Sequence, residues 1–243
     1  MSIQTNRGKE SNDDKLFGTD KMRVAIKHAV EDLCHLMSRG YTAKSALVLV
    51  GNRYKLNVRQ QKAVQGMSAS EQQITARTSR SLSASELQNK EVLIDGFNAL
   101  ILLESLLSGA YIFKGADGFY RDLSSVHGSY KKVQQTARAI ELIGAFYVEE
   151  QLANIRWYFD KPVSNSGKLK QLITEIAAEN NYKWEVFLTN NPDKDLVSEN
   201  GIAITSDAWI LDNTDYNFNL IGYIAKKYGE GNIIDLFKLA SHD

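Results

Sequence analysis

The chain has 243 residues, 43% of them apolar, enough for one large domain or two modest ones with a sizeable core. No apolar run reaches membrane-spanning length, residues 1–20 carry no signal-peptide core, and the single cysteine, Cys34, excludes intrachain disulfides and a structural zinc framework. The zero net charge hides a split: residues 1–90 hold 15 Lys and Arg against 8 Asp and Glu, while residues 91–243 hold 14 against 21.

That asymmetry fits a nucleic-acid-facing module joined to an acidic one, or two surfaces attracting each other within one protein. Cytoplasmic residence with no membrane association is the expectation. Along the chain, residues 1–20 read as a disordered lead-in, residues 21–88 as a small all-α domain and residues 89–243 as an α/β domain. In the first of these, Val24, Ala25, His28, Ala29, Leu33, Leu36 and Met37 recur at helical spacing, and Gly40 sits where a helix ends. Thr42 opens a second helix through Ala46 and Val50, and Asn57 caps a third that carries Arg59 and Lys62. Residues 68–85 are rich in Ser, Gln and Arg and read as a helix fading into a linker. His28 and His35, seven apart, read as core or interface histidines, and the apolar helix faces offer a seam for a homodimer.

From Glu91 the period changes. Strands are expected at 91–95, 155–160, 184–189, 202–206 and 232–237, with helices at about 98–108, 130–150, 166–180, 193–199 and 217–228. Strands alternating with helices make a parallel sheet covered on both faces, so the fold class is α/β with a helical domain in front. Residues 111–125, punctuated by Gly115 and Gly118, form a hairpin or long loop inserted after the first helix. The consecutive Trp157, Tyr158 and Phe159 face both sides of a strand and belong to the core, as do Trp184 and Phe187. Burial is also the expectation for Trp209, with a base-stacking position at the site rim as the alternative.

The chemistry gathers at strand ends. Val92-Leu93-Ile94-Asp95-Gly96-Phe97-Asn98 is an apolar strand ending in an acid, at the edge of the sheet where ligands bind in open α/β folds. Asp160 ends the next strand, Asp207 follows Ile202–Ser206, and Asp195 stands at the entry to the short helix before it. Neighbouring strands lie about 4.8 Å apart, so acids at a common edge repel unless a cation such as Mg²⁺ or Mn²⁺ sits among them. Such a cluster can activate water against a phosphodiester. A lone strand-end Asp is more often a helix cap. Residues 160–170 read equally as a phosphate-contacting loop with Lys168 and Lys170 or as an ordinary capped turn using Asn165 or Ser166. Arg121, His127, Lys131 and Lys132 could line a substrate groove, although a solvated loop explains them more simply. Asp212 and Asp215 read as caps for the helix from Asn217.

The order Ile-Asp-Gly-Phe-Asn, Phe-Asp, Asp-rich helix start and Ile-Thr-Ser-Asp resembles the PIN-like superfamily, and within it the NYN and YacP-type nucleases. The resemblance covers roughly residues 90–240. It implies a three-layer PIN-like fold and a metal-dependent nuclease, RNA favoured and DNA an option, with Asp95, Asp160, Asp195 and Asp207 as the catalytic carboxylates. Asp95, Asp160 and Asp207 would hold Mg or Mn. Asn98 would orient Asp95 or touch substrate, Thr205 or Ser206 would bond a carboxylate or phosphate, and Arg121 and Lys168 would contact substrate. The helical part, through Asp32-Leu33, Arg39-Gly40-Tyr41 and Gly51-Asn52-Arg53-Tyr54-Lys55-Leu56, resembles the domain of unknown function DUF 434. The competing reading is a catalytically silent PIN-like module that binds nucleic acid or protein. Phosphohydrolase chemistry of the haloacid-dehalogenase type is disfavoured, because Phe97 stands where a second Asp is needed.

Overall fold

The computed structural model describes residues 6–124, 128–229 and 231–237. Five helices come first: α1 (Asp13–Phe17), α2 (Asp20–Ser38), α3 (Ala43–Arg53), α4 (Val58–Met67) and α5 (Glu71–Ser79). The starts of α2 to α5 are chemically specified. Thr19 and Thr42 accept the backbone N–H groups of Met22 and Ser45, while Asn57–Gln60 and Ser70–Gln73 form reciprocal capping boxes. Gly40, at φ +88°, lets the chain leave α2 in a conformation that costs other residues energy.

Residues 13–17 correct the expectation of a disordered lead-in. Phe17 is fully buried against Tyr111 and Phe113, and buried Asp13 pairs with Arg59 at 2.6 Å. These partners lie far along the chain, so the polar composition of the segment gave no sign of them. Residues 1–5 lie outside the described residues.

A 3-10 turn (Ala84–Leu87) leads into the α/β part. It runs β1 (Glu91–Asp95), α6 (Gly96–Leu107), β2 (Tyr111–Lys114), β3 (Tyr120–Arg121), α7 (Thr136–Glu149), β4 (Asn154–Asp160), α8 (Ser166–Glu179) and β5 (Trp184–Thr189). There follow α9 (Pro192–Ser198), β6 (Ile202–Ile204), α10 (Ala208–Asn213), β7 (Tyr216–Asn217), α11 (Leu220–Tyr228) and β8 (Asn232–Ile234). The main sheet has five parallel strands in the order β5-β4-β1-β6-β7. Alternation places Trp157 and Phe159 on the face covered by α6, α7, α8 and α11, and Tyr158 on the face covered by α9 and α10. The fold is α/β with a helical region in front, as the alternation of elements predicts.

Two expectations at the C-terminal end change. The strand expected at 232–237 does not join the main sheet; β8 pairs in parallel with β2, which pairs antiparallel with β3, making a second, three-stranded sheet. Tyr216–Asn217, expected to lie at a helix start, form the edge strand β7, and Asn219 caps α11 by accepting from Gly222.

The small sheet belongs to the helical region as much as to the α/β part. Tyr111, Phe113, Ile234 and Leu236 share one apolar core with Ile26, Leu33, Val50 and Met67. Residues 80–82, expected as linker, are clipped to the main sheet: Asn217 donates to the Arg80 carbonyl and accepts from the Leu82 N–H. His28 and His35 are exposed and so are not core residues.

Candidate active site

β1 ends at Asp95, and Gly96 starts α6 immediately. A side chain at position 96 would run into the Phe159 ring at 2.3 Å, so the close approach of β4 to this turn requires glycine. Register then sets the relative heights of the acids. Asp95 lies level with Tyr158 of β4, and Ile94 with Ile204 of β6. Asp160 and Asp207 therefore stand two and three residues beyond those partners, flanking Asp95 from either side and reaching further out of the sheet.

The β6 tip is laced to the start of α6. Thr205 Oγ1 donates to Asp95 Oδ2 at 2.8 Å and accepts the Asp207 N–H at 3.0 Å. Asn98 Oδ1 accepts the Ser206 N–H at 2.8 Å, and the Asn98 backbone N–H bonds the Asp95 carboxylate. Asp207 caps α10, accepting from Trp209 and Ile210 at 2.8 and 3.1 Å. It thus fills the cap role that competes with chemistry, through one carboxylate oxygen.

Electrostatics identifies the fourth acid. Burial, and then the charges of Asp193 and Asp207, push the Asp95 carboxyl up to about 7 against the bond from Thr205. Asp193, which keeps a water-exposed edge, is itself raised by desolvation, then by Asp207 and Asp160; Asp160 is raised by desolvation. Of the two acids on α9, Asp193 is the one whose charge acts on Asp95. Buried Pro192 and Leu196 face α9 toward the sheet, and at about 100° per residue Asp193 and Asp195 leave that stripe on opposite sides. Both acids were visible in the sequence; the docking of the helix chooses between them.

The other expected contacts are distributed differently. The Arg121 guanidinium is engaged by buried Asp117 at 2.6 and 2.9 Å and by the Ser206 carbonyl at 3.2 Å, so it braces the β6 tip. Lys168 is exposed beside a separate cavity of about 330 Å³ with Lys131 and Lys132, away from the acids. His127 lies outside the described residues. Trp209 is 45% exposed next to Asp207, where burial was expected. Asp212 accepts from Arg77 at 2.7 Å in place of capping a helix. Arg77, buried on α5, also bonds Asp117 at 2.7 Å; no local pattern marked it.

Beside the acids lies a cleft of about 360 Å³, walled by Lys62 and Gly66 of α4 on one side and by Asn98, Arg121, Ser206 and Asp207 on the other.

The donor set fits a hard divalent cation. All donors are carboxylate oxygens, the charge on Asp95 is opposed by its neighbours, and none of Asp95, Asp160, Asp193 and Asp207 is in an ion pair among the described residues. Nor, among the described residues, do three His, Cys, Asp or Glu side chains stand close enough to hold an ion by themselves. That pattern suits an ion held by one or two carboxylates, water and a substrate phosphate.

Two family models match this chain, one after the other. Residues 84–223 match the family described as "Domain of unknown function (DUF5616)", and residues 25–80 match "Protein of unknown function (DUF434)". A Methanocaldococcus jannaschii protein, "Uncharacterized protein MJ0935", is 32% identical over 210 residues, spanning 84% of this chain and all of its own length. No solved structure matches. The chain belongs to the DUF5616 family, with a DUF434 segment in front of it.

Proposed function

We propose that the protein is a metal-dependent nuclease of PIN-like type that hydrolyses phosphodiester bonds, with RNA the favoured substrate. The observation that supports this reading is that Asp95, at the carboxyl end of β1 in a parallel sheet, feels the charges of Asp193 and Asp207, while Asp160 at the end of β4 acts on Asp193. Bound Mg²⁺ or Mn²⁺ would polarise a phosphoryl oxygen and lower the pKa of water. The chain's own contribution is to hold Asp95 through Thr205 and Asn98 and to present Asp207 from the capped start of α10. The exposed Trp209 ring beside Asp207 offers a surface for base stacking, worth about 1–3 kcal/mol per base.

Incubation of end-labelled single-stranded RNA with the protein and Mn²⁺ should yield cleavage products. Asp95→Asn and Asp193→Asn should each reduce the rate at least tenfold, while Asp195→Asn should leave it unchanged. RNA and DNA that both stay intact with either metal would remove the reading.

The cap role of Asp207 favours a second reading, a catalytically silent nucleic-acid-binding module. RNA binding unaltered by EDTA, without cleavage, would select it. For assembly, we propose a homodimer through the exposed Val24, Val48 and Leu49 of the helical region. A monomer mass in light scattering at micromolar concentration would rule it out.

A further inference from the structure

The cleft between α4 and the β6 tip shares Asn98, Ser206 and Asp207 with the carboxylate site, so whatever enters it lies against Asp207, the one acid of that site in its lining. Its size is at the small end of ligand sites, which run from about 300 to 1,000 Å³. It admits a unit of nucleotide size and leaves no room for a stacked duplex.

Charge orients the occupant. The carboxylates of Asp122 and Asp207 in the lining disfavour a phosphate beside them, the Arg77 and Arg121 guanidinium groups are engaged by Asp117 and Asp212, and the ammonium of Lys62 is exposed on the α4 side. Beside the apolar Leu102 and Ala208, the lining offers amides and hydroxyls from Asn98, Gln65 and Ser206, groups that both donate and accept. A ribose 2′-hydroxyl donates and accepts through one oxygen, so it suits such a wall, and it distinguishes RNA from DNA.

The walls are fixed. Arg121 is locked by Asp117 and the Ser206 carbonyl, and Asn98 is locked by the Ser206 N–H. The space depends on one residue of α4. A Cβ at Gly66 would make only ordinary contact with Arg121 Cδ at 3.5 Å, so position 66 opens onto the cleft instead of packing into the protein.

We propose that this cleft seats one nucleotide of single-stranded RNA, next to the phosphodiester presented to the carboxylates. The ribose faces the amide and hydroxyl wall, and the phosphate lies toward Lys62. The DUF434 segment thereby forms half of a substrate site whose other half is the DUF5616 segment. The adjoining phosphodiester rests on the nuclease reading; the seat itself does not.

The test is fluorescence anisotropy with a labelled ten-nucleotide single-stranded RNA, on the full chain, in EDTA so that no cleavage intervenes. Gly66→Ala should bind within twofold of wild type. Gly66→Phe, which fills the cleft, and Lys62→Glu, which reverses its charge, should each weaken binding at least tenfold, with unaltered circular dichroism. DNA of the same sequence should bind at least fivefold more weakly than RNA. Wild-type protein that does not bind RNA, or a pair of variants that bind like wild type, overturns the proposal, and equal binding of DNA overturns the ribose contact. Binding sensitive to Gly66→Phe without cleavage in Mn²⁺ keeps the seat and removes the nuclease. Cleavage undiminished by Gly66→Phe does the reverse.

Discussion

Thr205 shows how much one hydroxyl carries. It donates to Asp95 and accepts from the Asp207 backbone, so a single oxygen ties together two acids on neighbouring strands. Thr205→Val keeps the shape and removes both bonds, taking one of its donors from the buried Asp95 carboxylate and the acceptor from the Asp207 N–H. We expect a loss of about 1–3 kcal/mol in urea denaturation, with Thr205→Ser restoring most of it. Equal stability of the valine and serine variants would show that the tie contributes nothing. Position 96 is equally constrained for a steric reason, because the Phe159 ring occupies the space a side chain would need.

Among the elements, α5 and the β2–β3 hairpin are joined by charge. Arg77 bonds Asp117 and Asp212, and Arg121 bonds Asp117 from the other side. Burial by itself would raise the Asp117 carboxyl, but the bonds and charges of Arg121 and then Arg77 hold it below the ordinary carboxylate range. A folded-state value below the unfolded one gives stability that is complete above about pH 4 and is lost as pH falls through the folded value. Asp117→Asn should therefore cost about 3–5 kcal/mol at pH 7, and its deficit against wild type should shrink below about pH 4. Urea titrations at the two pH values check this; a deficit that does not vary with pH would refute it. The short α1 makes a different kind of connection, since Phe17 packs on Tyr111 and Phe113 of the small sheet. Phe17→Ala should cost about 3–5 kcal/mol, read from the same denaturation experiment. A loss under about 1 kcal/mol would return the segment to the role of a lead-in.

At the scale of the molecule, the helical region is tied to the α/β part by three links: the shared core with Tyr111, Phe113, Ile234 and Leu236, the Arg77 network, and the clip of residues 80–82 onto Asn217. Apolar surface and buried charge would both be exposed if either part opened alone. Calorimetry should therefore show one unfolding transition, with calorimetric and van't Hoff enthalpies equal. Two resolved transitions would mean that these links are weak. The split in charge between residues 1–90 and 91–243 is partly spent on such links, because Arg77 pairs with Asp117 and Asp212 and Arg7 with buried Glu104.

Periodicity and capping chemistry are local, and they were legible. The helices after Thr42 and Asn57, the strands ending at Asp95 and Asp160, and the parallel sheet all follow from residues within a few positions of one another. The strand-end acids were legible for the same reason. What depended on distance in the chain was not. Asp193 and Asp195 are equivalent until α9 docks through Pro192 and Leu196, and only that contact turns one of them toward Asp95 and Asp207. Arg121 looked available for phosphate until the fold placed Asp117 and Ser206 against it. The cleft beside Asp207 has no sequence signature, because its walls come from residues 62–68, 77, 98–102, 121–124 and 206–208. The sequence by itself determined the elements and the strand tips on which acids stand, since hydrogen bonding and side-chain period act over a few residues. The tertiary structure decided which acids meet and what space adjoins them, since both depend on how separate elements pack.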